Sequence, residues 1–189
     1  MFKKLLKENP VFVFALESEA SDKFSDVNPL FIGVGKVNAA YHLTRKIKEN
    51  KPSIIVNLGS AGSNHFDRGS VVCCTKFVQR DMDATMIGAK MYETPFSGVG
   101  PVLEYGLKVD GLDEGICGTG DSFEVNHNTM VYNVIDMEAY PLAYIAQQEQ
   151  IPFLCLKYIS DGADDSAAED WETTVKHAAE ALRKTLDNF

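Results

Sequence analysis

The chain has 189 residues, a length that suits one domain and is short for two. Hydrophobic residues make up 45% of it and charged residues 24%, which is typical of a globular protein. Its formal net charge of −9 argues against nucleic-acid and anionic-membrane partners, because no basic stripe is available to neutralise phosphates. No apolar run approaches membrane-spanning length, and polar residues interrupt the amino-terminal MFKKLLKENP too often for a signal peptide, so we expect a cytoplasmic protein.

Apolar runs and helical spacing predict the elements of the first half of the chain. Short apolar runs predict strands, and apolar residues at every third or fourth position predict a helix that Asn50-Lys51-Pro52 ends. The predicted strands are 11–15, 30–34, 53–58 and 71–78, and the predicted helix is 37–49. Gly59-Ser60-Ala61-Gly62 is predicted to be a turn, and 80–101 a surface loop.

The second half of the chain repeats the alternation of strand and helix. A strand is predicted over 114–119, and the segment 134–164 is predicted to be a strand, a helix and a second strand. An amphipathic helix is predicted over 167–186. Such alternation predicts a single α/β domain over 1–189, with a mixed, mostly parallel central β-sheet flanked by helices.

Both strands of the 134–164 segment end in acidic residues. The first ends at Asp136-Met137-Glu138 and the second at Ser160-Asp161. Because ligands of α/β sheets bind at the carboxyl ends of strands, we expect Glu138 and Asp161 to lie on one rim of the sheet. Unpaired carboxylates are costly to bury, which makes these two positions candidates for function.

Single motifs elsewhere leave structural and functional interpretations open. The Gly59–Gly62 turn would let backbone N–H groups approach a ligand, yet such turns more often only close a loop. Glu17 and Glu19 suit a helix start, where acidic groups interact favourably with the helix dipole. Gly33-Val34-Gly35 lacks the third glycine of a dinucleotide fingerprint, which argues against a Rossmann cofactor site.

Cysteine and histidine usage predicts neither a disulfide nor a metal site. The four cysteines include no C-x-x-C pair, and the four histidines show no recurring ligand spacing. We therefore expect the thiols to be reduced and buried, as is usual in the cytosol, and we expect no metal and no cofactor. The cysteines are Cys73, Cys74, Cys117 and Cys155.

Seven short motifs occur along the chain in an order that resembles the 5'-methylthioadenosine/S-adenosylhomocysteine nucleosidases of the purine nucleoside phosphorylase superfamily. They are Ala15-Leu16-Glu17-Ser18-Glu19, Gly33-Val34-Gly35-Lys36-Val37, Asn57-Leu58-Gly59-Ser60-Ala61-Gly62, Asp81-Met82-Asp83-Ala84-Thr85, Gly120-Asp121-Ser122-Phe123, Asp136-Met137-Glu138-Ala139 and Ile159-Ser160-Asp161. The resemblance implies a nucleoside phosphorylase-like fold. It also implies hydrolysis of the N-glycosidic bond of 5'-methylthioadenosine, S-adenosylhomocysteine or an adenosine-like nucleoside.

The resemblance implies a role for each of three carboxyl groups. Asp161 matches the general acid that protonates N7 of the departing purine, a role for which burial must raise its pKa. Glu19 matches the base that activates the attacking water, so the two groups serve opposite faces of the scissile bond. Glu138 matches the acceptor for the ribose 2'- and 3'-hydroxyls, and its charge would also favour a cationic sugar.

The resemblance also implies the remaining substrate contacts. Met137 would lie against the ribose, Phe123 would stack on the purine, and Trp171 would close the 5' end. The other predicted substrate-binding residues are Ser60 and Gly62 at the water site, and Leu16 and Ser160 within matching motifs.

Water is a better nucleophile than phosphate for the residues that are present. Relatives that use phosphate place arginines after the first strand and beside the Gly-Ser segment, where this chain has Glu17-Ser18-Glu19 and Asn57-Leu58. A carboxylate base at this position would repel a phosphate dianion, which favours hydrolysis. A purine nucleoside phosphorylase and a non-catalytic nucleoside-binding module are the alternative functions.

Several positions depart from the family pattern and leave the exact substrate open. Lys157 replaces an arginine before the Ile-Ser-Asp motif and lacks its planar fork. By the resemblance, an acid rather than an asparagine at Asp161 favours 6-aminopurines, but Glu124 replaces an apolar residue beside the purine and leaves the choice between a 6-amino and a 6-oxo purine open. In the family, the loop that carries Met86 and Ile87 lines the 5' end partly from a neighbouring subunit, so we expect a homodimer.

Overall fold

A computed structural model describes residues 2–124, 127, 129–163 and 167–189, apart from the side chains of residues 2, 167–173, 175 and 176. The helices are α1 (Phe2–Glu8), α2 (Glu17–Ala20), α3 (Lys36–Glu49), α4 (Ala139–Gln148) and α5 (Ala167–Asp187), with a 3-10 turn at Thr85–Ile87. The strands are β1 (Pro10–Phe14), β2 (Leu30–Phe31), β3 (Ile54–Gly62), β4 (Val71–Gln79), β5 (Leu103–Glu104), β6 (Glu114–Thr119), β7 (Val134–Asp136) and β8 (Phe153–Asp161). None of the described helices is long and apolar enough to cross a membrane.

The strands form one mixed sheet that closes on itself. β1 lies between β2 and β3, and these three strands are parallel. β3 pairs in parallel with β8, β8 pairs antiparallel with β4, and β6 lies parallel between β4 and β7. The circuit closes where Gly62 of β3 meets Ile135 of β7 in an antiparallel pair. The predicted mixed sheet flanked by helices is therefore confirmed.

Helices cover the two faces of the sheet through separate apolar clusters. α3 carries Ala39, Leu43 and Ile47 at four-residue spacing, and these side chains are buried on one face together with α4. α5 buries Ala178 and Leu182 on the other face. All nine residues of β8 are buried, and its apolar side chains alternate between the two clusters. Burial on both faces explains the continuous apolar run that predicted this strand.

The Gly59–Gly62 segment is the end of β3, so its prediction as a turn is wrong. The segment pairs with β8 along its length, and Gly62 lies between Asp161 on one side and Ile135 on the other. Glycine normally weakens a strand, but here pairing on both sides keeps the backbone extended. Tertiary pairing therefore overrides the local preference of small residues.

The carboxyl ends of β7 and β8 converge, although the two strands are not neighbours. β3 lies between them and runs parallel to β8 but antiparallel to β7. Strands that run in opposite directions therefore end at the same place, and Glu138 and Asp161 line one cavity there. The two acids share a rim, as expected from the sequence. The rim forms where two strands of opposite direction end at the same place, rather than along the edge of a parallel sheet.

Candidate active site

The converging strand ends enclose a cavity of about 220 Å³. Residues at or just after the carboxyl ends of β1, β3, β7 and β8 form most of its wall, and the segment after β6 forms another side. The wall consists of Ala15, Leu16, Glu19, Val34, Ser60, Ala61, Gly62, Ser122, Phe123, Glu124, Ile135, Asp136, Met137, Glu138, Ser160 and Asp161. It includes every predicted site residue except Trp171, whose side chain lies outside the described residues.

Glu19 is the carboxylate on the β1 side of the cavity. The one-turn helix α2 follows β1 almost directly and buries Glu19, which is only 4% exposed. Its Oε1 accepts hydrogen bonds from the Ser60 backbone nitrogen at 2.8 Å and from the Ser60 hydroxyl at 2.7 Å. The Leu16 backbone N–H donates to Oε2 at 3.2 Å. These donors hold the carboxylate in one orientation on the cavity wall.

Asp161 is the last residue of β8 and is 4% exposed. The Ser160 hydroxyl donates to Oδ2 at 2.8 Å, and the Ala163 backbone N–H donates to Oδ1 at 3.0 Å. Ala163 has a φ of +51°, in the left-handed region that most side chains avoid. The chain therefore accepts some backbone strain in the turn that holds this carboxyl group on the cavity wall.

Two glycines make room for these two carboxyl groups. A Cβ atom on Gly59 would lie 3.1 Å from Oε1 of Glu19, and a Cβ atom on Gly62 would lie 2.6 Å from Oδ1 of Asp161. Neither glycine has a positive φ, so close approach of a side chain, rather than an unusual backbone conformation, explains both residues. The Gly-Ser-Ala-Gly motif thus brings β3 close to both acids.

Glu138 lies between β7 and α4 and is 7% exposed. The Gly35 backbone N–H, at the start of α3, donates to Oε1 at 2.9 Å. No hydrogen bond to Oε2 comes from the part of the chain that the structure describes, which leaves this oxygen available to a ligand. Burial, together with the nearby charge of Asp136, raises the pKa of Glu138 to about 8.

Asp136, two residues before Glu138, forms a buried ion pair with Lys157. The Lys157 ammonium lies 2.8 Å from Oδ2, and the two side chains are 2% and 1% exposed. Thr119 Oγ1 donates to Oδ1 at 2.5 Å, and the Ala139 backbone N–H donates to Oδ2 at 2.8 Å. Burial opposes the charge on both groups, but their mutual attraction prevails, so the pKa of Asp136 is lowered and the pKa of Lys157 is raised. Asp136 is therefore the partner of the lysine that departs from the family pattern.

Phe123 and Glu124 form the side of the cavity that follows β6. The Phe123 ring is half exposed, as a stacking surface requires. Glu124 accepts a hydrogen bond from Nη1 of the buried Arg80 at 3.0 Å. Sequence analysis missed Arg80, because it begins a segment predicted only to be a surface loop. The one local signal was a basic residue directly after the end of β4.

A polar network joins three of the sequence motifs outside the cavity. The Lys36 ammonium lies 2.6 Å from Oδ1 of Asp81, and the Lys36 backbone N–H donates to Oδ1 of Asp121 at 2.8 Å. The Asp121 backbone N–H donates to Oδ2 of Asp81 at 2.9 Å. These bonds tie the start of α3, which contacts Glu138, to the loops after β4 and β6. We interpret these residues as support for the cavity wall.

The cavity wall carries acidic side chains but no basic ones among its described residues. Its described residues include Glu19, Glu124, Asp136, Glu138 and Asp161 but no lysine or arginine. Within residues 2–124, 127, 129–163 and 167–189 no group of histidine, cysteine or acidic residues could hold a metal ion. All four cysteines are free and buried, as the sequence predicts.

Known proteins resemble the chain along most of its length. A family model described as the phosphorylase superfamily matches residues 25–189. The chain is 32% identical to a 5'-methylthioadenosine/S-adenosylhomocysteine nucleosidase of Exiguobacterium sp., in an alignment that covers 78% of this chain and 72% of that protein. It is 29% identical to the nucleosidase of the same name from Staphylococcus aureus, with 82% and 77% covered.

Solved structures have the same fold. A futalosine hydrolase mutant of Helicobacter pylori gives a TM-score of 0.85 at 16% identity, with 94% of this chain and 96% of that chain covered. The 5'-methylthioadenosine/S-adenosylhomocysteine nucleosidase of Neisseria meningitidis, in complex with methylthio-immucillin-A, gives a TM-score of 0.82 at 21% identity, with 94% and 96% covered. The chain therefore belongs to the 5'-methylthioadenosine/S-adenosylhomocysteine nucleosidase family of the phosphorylase superfamily.

Proposed function

We propose that the protein hydrolyses the N-glycosidic bond of a purine nucleoside, with Asp161 as the general acid and Glu19 as the group that activates water. One observation carries this proposal. Glu19 and Asp161 are both buried on the wall of one cavity, and each lies beside a glycine that makes room for its carboxyl group. Two buried carboxyl groups that share a cavity suit the division into acid and base that glycoside hydrolysis requires.

Asp161 would act on the base. When the bond between C1' and N9 breaks, its electron pair goes to the purine, which is a poor leaving group unless N7 is protonated. Asp161 would transfer its proton to N7 as this bond breaks, while the sugar acquires oxocarbenium character. The hydrogen bonds from Ser160 and Ala163 restrict the carboxyl group to one orientation, which favours transfer in one direction.

Glu19 would act on the water. A water molecule adds its oxygen to C1' and transfers a proton to the Glu19 carboxylate, so that the products are the free base and a sugar with a hydroxyl at C1'. Ser60 donates twice to Glu19 from the adjoining strand, which fixes the carboxylate relative to β3. The Ser60 side chain also lines the cavity, beside the predicted water site.

Glu138 and its neighbours would bind the sugar and the base. The Oε2 of Glu138, which accepts no hydrogen bond from the described residues, would accept hydrogen bonds from the ribose hydroxyls. These donors and the cationic sugar of the transition state would favour the ionised form of Glu138, against the burial that raises its pKa to about 8. Met137 would contact the ribose, and Phe123 would stack on the purine. Trp171 remains a predicted contact at the 5' end.

Hydrolysis suits this cavity better than phosphorolysis. A phosphate dianion would meet several acidic side chains and, among the described wall residues, no lysine or arginine. We propose adenosine, or an adenosine-like nucleoside with a modified 5' position, as the substrate, because the relatives at about 30% identity are named for 5'-methylthioadenosine and S-adenosylhomocysteine.

We also propose that the protein is a cytoplasmic homodimer. Large apolar side chains are exposed on α3 and on the loop after β4, namely Val37, Tyr41, Met86 and Ile87. Exposed apolar groups of this kind commonly mark an interface between subunits. The four unpaired thiols suit a reducing compartment. Light scattering during size-exclusion chromatography would measure the mass, and a monomer at micromolar concentration would contradict the dimer.

A single assay separates hydrolysis from its two alternatives. Purified protein is incubated with a panel of purine nucleosides, with and without phosphate, and the free base and the sugar product are measured. Hydrolysis predicts free base and the free sugar at equal rates in both conditions. Phosphate-dependent turnover that yields a sugar 1-phosphate would support a phosphorylase. Tight nucleoside binding without release of base would support a non-catalytic binding module.

A further inference from the structure

The carboxyl group proposed to bind the sugar is held by a backbone group and not by a side chain. Among the described residues, the one hydrogen bond to the Glu138 carboxyl group comes from the Gly35 N–H, which reaches Oε1 at 2.9 Å. The described wall of the cavity has no lysine or arginine that could orient this group instead. The direction in which Glu138 points therefore depends on the position of the backbone at the start of α3.

The start of α3 is capped by an acidic residue from another part of the chain. Gly35 precedes the helix and has no side chain with which to cap it. Oδ1 of Asp121, in the segment after β6, accepts from the Lys36 backbone N–H at 2.8 Å instead. Successive N–H groups at this helix end thus donate to two carboxyl groups, which suits its partial positive charge.

Asp121 approaches this helix end closely. Gly35 has a φ of +95°, and a Cβ atom there would lie 3.1 Å from Oδ1 of Asp121. Glycine is therefore suited to this position both by its backbone conformation and by the space available. Because the contact is this close, a change in the position of Asp121 would also move the N–H group that holds Glu138.

Asp81 holds Asp121 and Lys36 in turn. Its Oδ2 accepts from the Asp121 backbone N–H at 2.9 Å, and its Oδ1 lies 2.6 Å from the Lys36 ammonium. The Lys36 and Asp81 side chains are 19% and 32% exposed, so salt screens this pair less than it screens fully exposed pairs. Burial raises the pKa of Asp81, but the hydrogen bonds from Lys36 and Asp121 outweigh it, so the pKa is lowered and the group is ionised.

We infer that Asp81, which is not part of the cavity wall, is a positioning residue for Glu138. It acts through Lys36 and Asp121, which fix the start of α3 and so aim the N–H group that Glu138 accepts. Loss of Asp81 should weaken recognition of the ribose hydroxyls and leave recognition of the base unchanged. This inference rests on the proposed function, which assigns the ribose hydroxyls to Glu138.

The test compares two nucleosides that have the same base and differ in the sugar. Adenosine carries hydroxyls at positions 2' and 3', whereas 2',3'-dideoxyadenosine carries neither, and kcat/KM is measured for both. Because the base is shared, a change on the purine side of the cavity cancels in the ratio of the two values. A general loss of folded protein cancels as well, so the ratio reports recognition of the sugar hydroxyls.

Asp81→Asn is the main variant. Asparagine has the same size but only one acceptor oxygen, so it cannot serve both the Lys36 ammonium and the Asp121 N–H. Lys36→Met removes the same ion pair from its other side, and it decides the test if circular dichroism shows that Asp81→Asn does not fold. Glu104→Gln is the matched control, because it removes an exposed carboxyl group that lies 3.0 Å from the Lys76 ammonium.

We expect the ratio of kcat/KM for adenosine to that for 2',3'-dideoxyadenosine to fall about fivefold to tenfold in Asp81→Asn, because a misplaced carboxyl group binds the hydroxyls less well. The ratio should be unchanged in Glu104→Gln. A change of less than about twofold in Asp81→Asn, or a rise in the ratio, would overturn the inference.

A double-mutant cycle tests whether Asp81 acts through Glu138. Calorimetry measures the binding of both nucleosides in an Asp161→Asn background, where cleavage is expected to be slow. Asp81→Asn should lower the preference for adenosine about fivefold when Glu138 is present, and by less than about twofold when Glu138→Ala has removed the carboxyl group. An equal effect in both backgrounds would show that Asp81 acts independently of Glu138 and would overturn the inference.

The same binding data distinguish failure of this inference from failure of the proposed function. If the wild-type protein cleaves no purine nucleoside, the proposed function is wrong, and the cycle still decides the inference. If Glu138→Ala leaves the preference for adenosine unchanged, the ribose contact proposed for Glu138 is wrong and the inference fails with it. If Glu138→Ala lowers the preference but Asp81→Asn does not, the inference alone is wrong.

Discussion

Asp136 and Glu138 lie two residues apart at the end of β7, yet the pKa values of their carboxyl groups shift in opposite directions. Both are buried, at 6% and 7% exposure. Asp136 receives hydrogen bonds from Lys157, Thr119 and Ala139, and its pKa is lowered, whereas Glu138 receives one from Gly35, and burial raises its pKa to about 8. The number and charge of the donors around a buried carboxyl group thus decide its ionisation more than its depth does.

The same difference separates residues that support the fold from residues that meet a ligand. The ion pair of Asp136 with Lys157 is satisfied within the protein, so its loss should mainly reduce stability. Asp136 lines the cavity as well, but Glu138 has an oxygen that accepts from no described donor and Asp161 is the proposed acid, so substitution of these two residues should mainly reduce activity. The predictions below test this division, from the largest expected effect to the smallest.

Asp161→Asn is expected to reduce the rate of base release by about 10²- to 10⁴-fold, because asparagine cannot donate an acidic proton to the purine. Asparagine keeps the size of the side chain and an oxygen that accepts from Ala163, so the fold should be retained. Release of free base is measured by liquid chromatography, and the melting temperature by calorimetry. Asp110→Asn, at an exposed position, is the control. Full activity of Asp161→Asn would refute its assignment as the acid.

Lys157→Met is expected to lower the free energy of unfolding by about 3–5 kcal/mol, because Asp136 is left buried without its counter-charge. The matched control is Lys76→Met, which removes an exposed pair with Glu104 and should cost at most about 1 kcal/mol. Urea unfolding measures both changes. Equal effects of the two substitutions would show that burial does not distinguish these ion pairs.

Gly62→Ala is expected to reduce the rate of base release by about 10²-fold, because the new methyl group would displace the Asp161 carboxyl from its position. Gly59→Ala should have a smaller effect, since its Cβ atom would lie 3.1 Å from Glu19 rather than 2.6 Å from a carboxyl oxygen. Gly100→Ala has no neighbour within 4 Å and is the control. Steady-state kinetics are measured for the three variants. A larger loss of activity in Gly59→Ala or Gly100→Ala than in Gly62→Ala would contradict this role of the glycines.

Glu138→Gln is expected to remove a pH dependence of stability. Because burial raises the pKa of Glu138 from 4.5 to about 8, the folded protein keeps a proton that the unfolded chain releases. The stability from this proton is fully present below a pH of about 4.5 and is lost as the pH rises through about 8. The free energy of unfolding of the wild-type protein should therefore fall, relative to the variant, by up to about 1.4 kcal/mol per pH unit.

Urea unfolding of the wild-type protein and Glu138→Gln between about pH 5 and pH 9 measures this difference. If the difference in the free energy of unfolding between the two proteins stayed constant across this range, Glu138 would not titrate there in the folded protein. Such a result would also remove the contrast between Glu138 and Asp136.

Most elements were predictable because their signals are local. The strand predicted over 114–119 coincides with β6, and the helix predicted over 37–49 differs from α3 by one residue at its start. The helix α1 was not predicted, because its seven residues are too few to show a clear period. The turn predicted at Gly59–Gly62 failed because the pairing partners of that segment lie about a hundred residues away in β8.

The sequence by itself determined the order of strands and helices and the residue types of the site, including the acids Glu19, Glu138 and Asp161. Only the tertiary structure decided how these acids meet. The junction of β3 with β7, the pairing of Asp136 with Lys157 and the pairing of Arg80 with Glu124 all join residues far apart in the chain. Periodicity and turn chemistry act over a few residues, whereas these contacts depend on how the whole sheet closes.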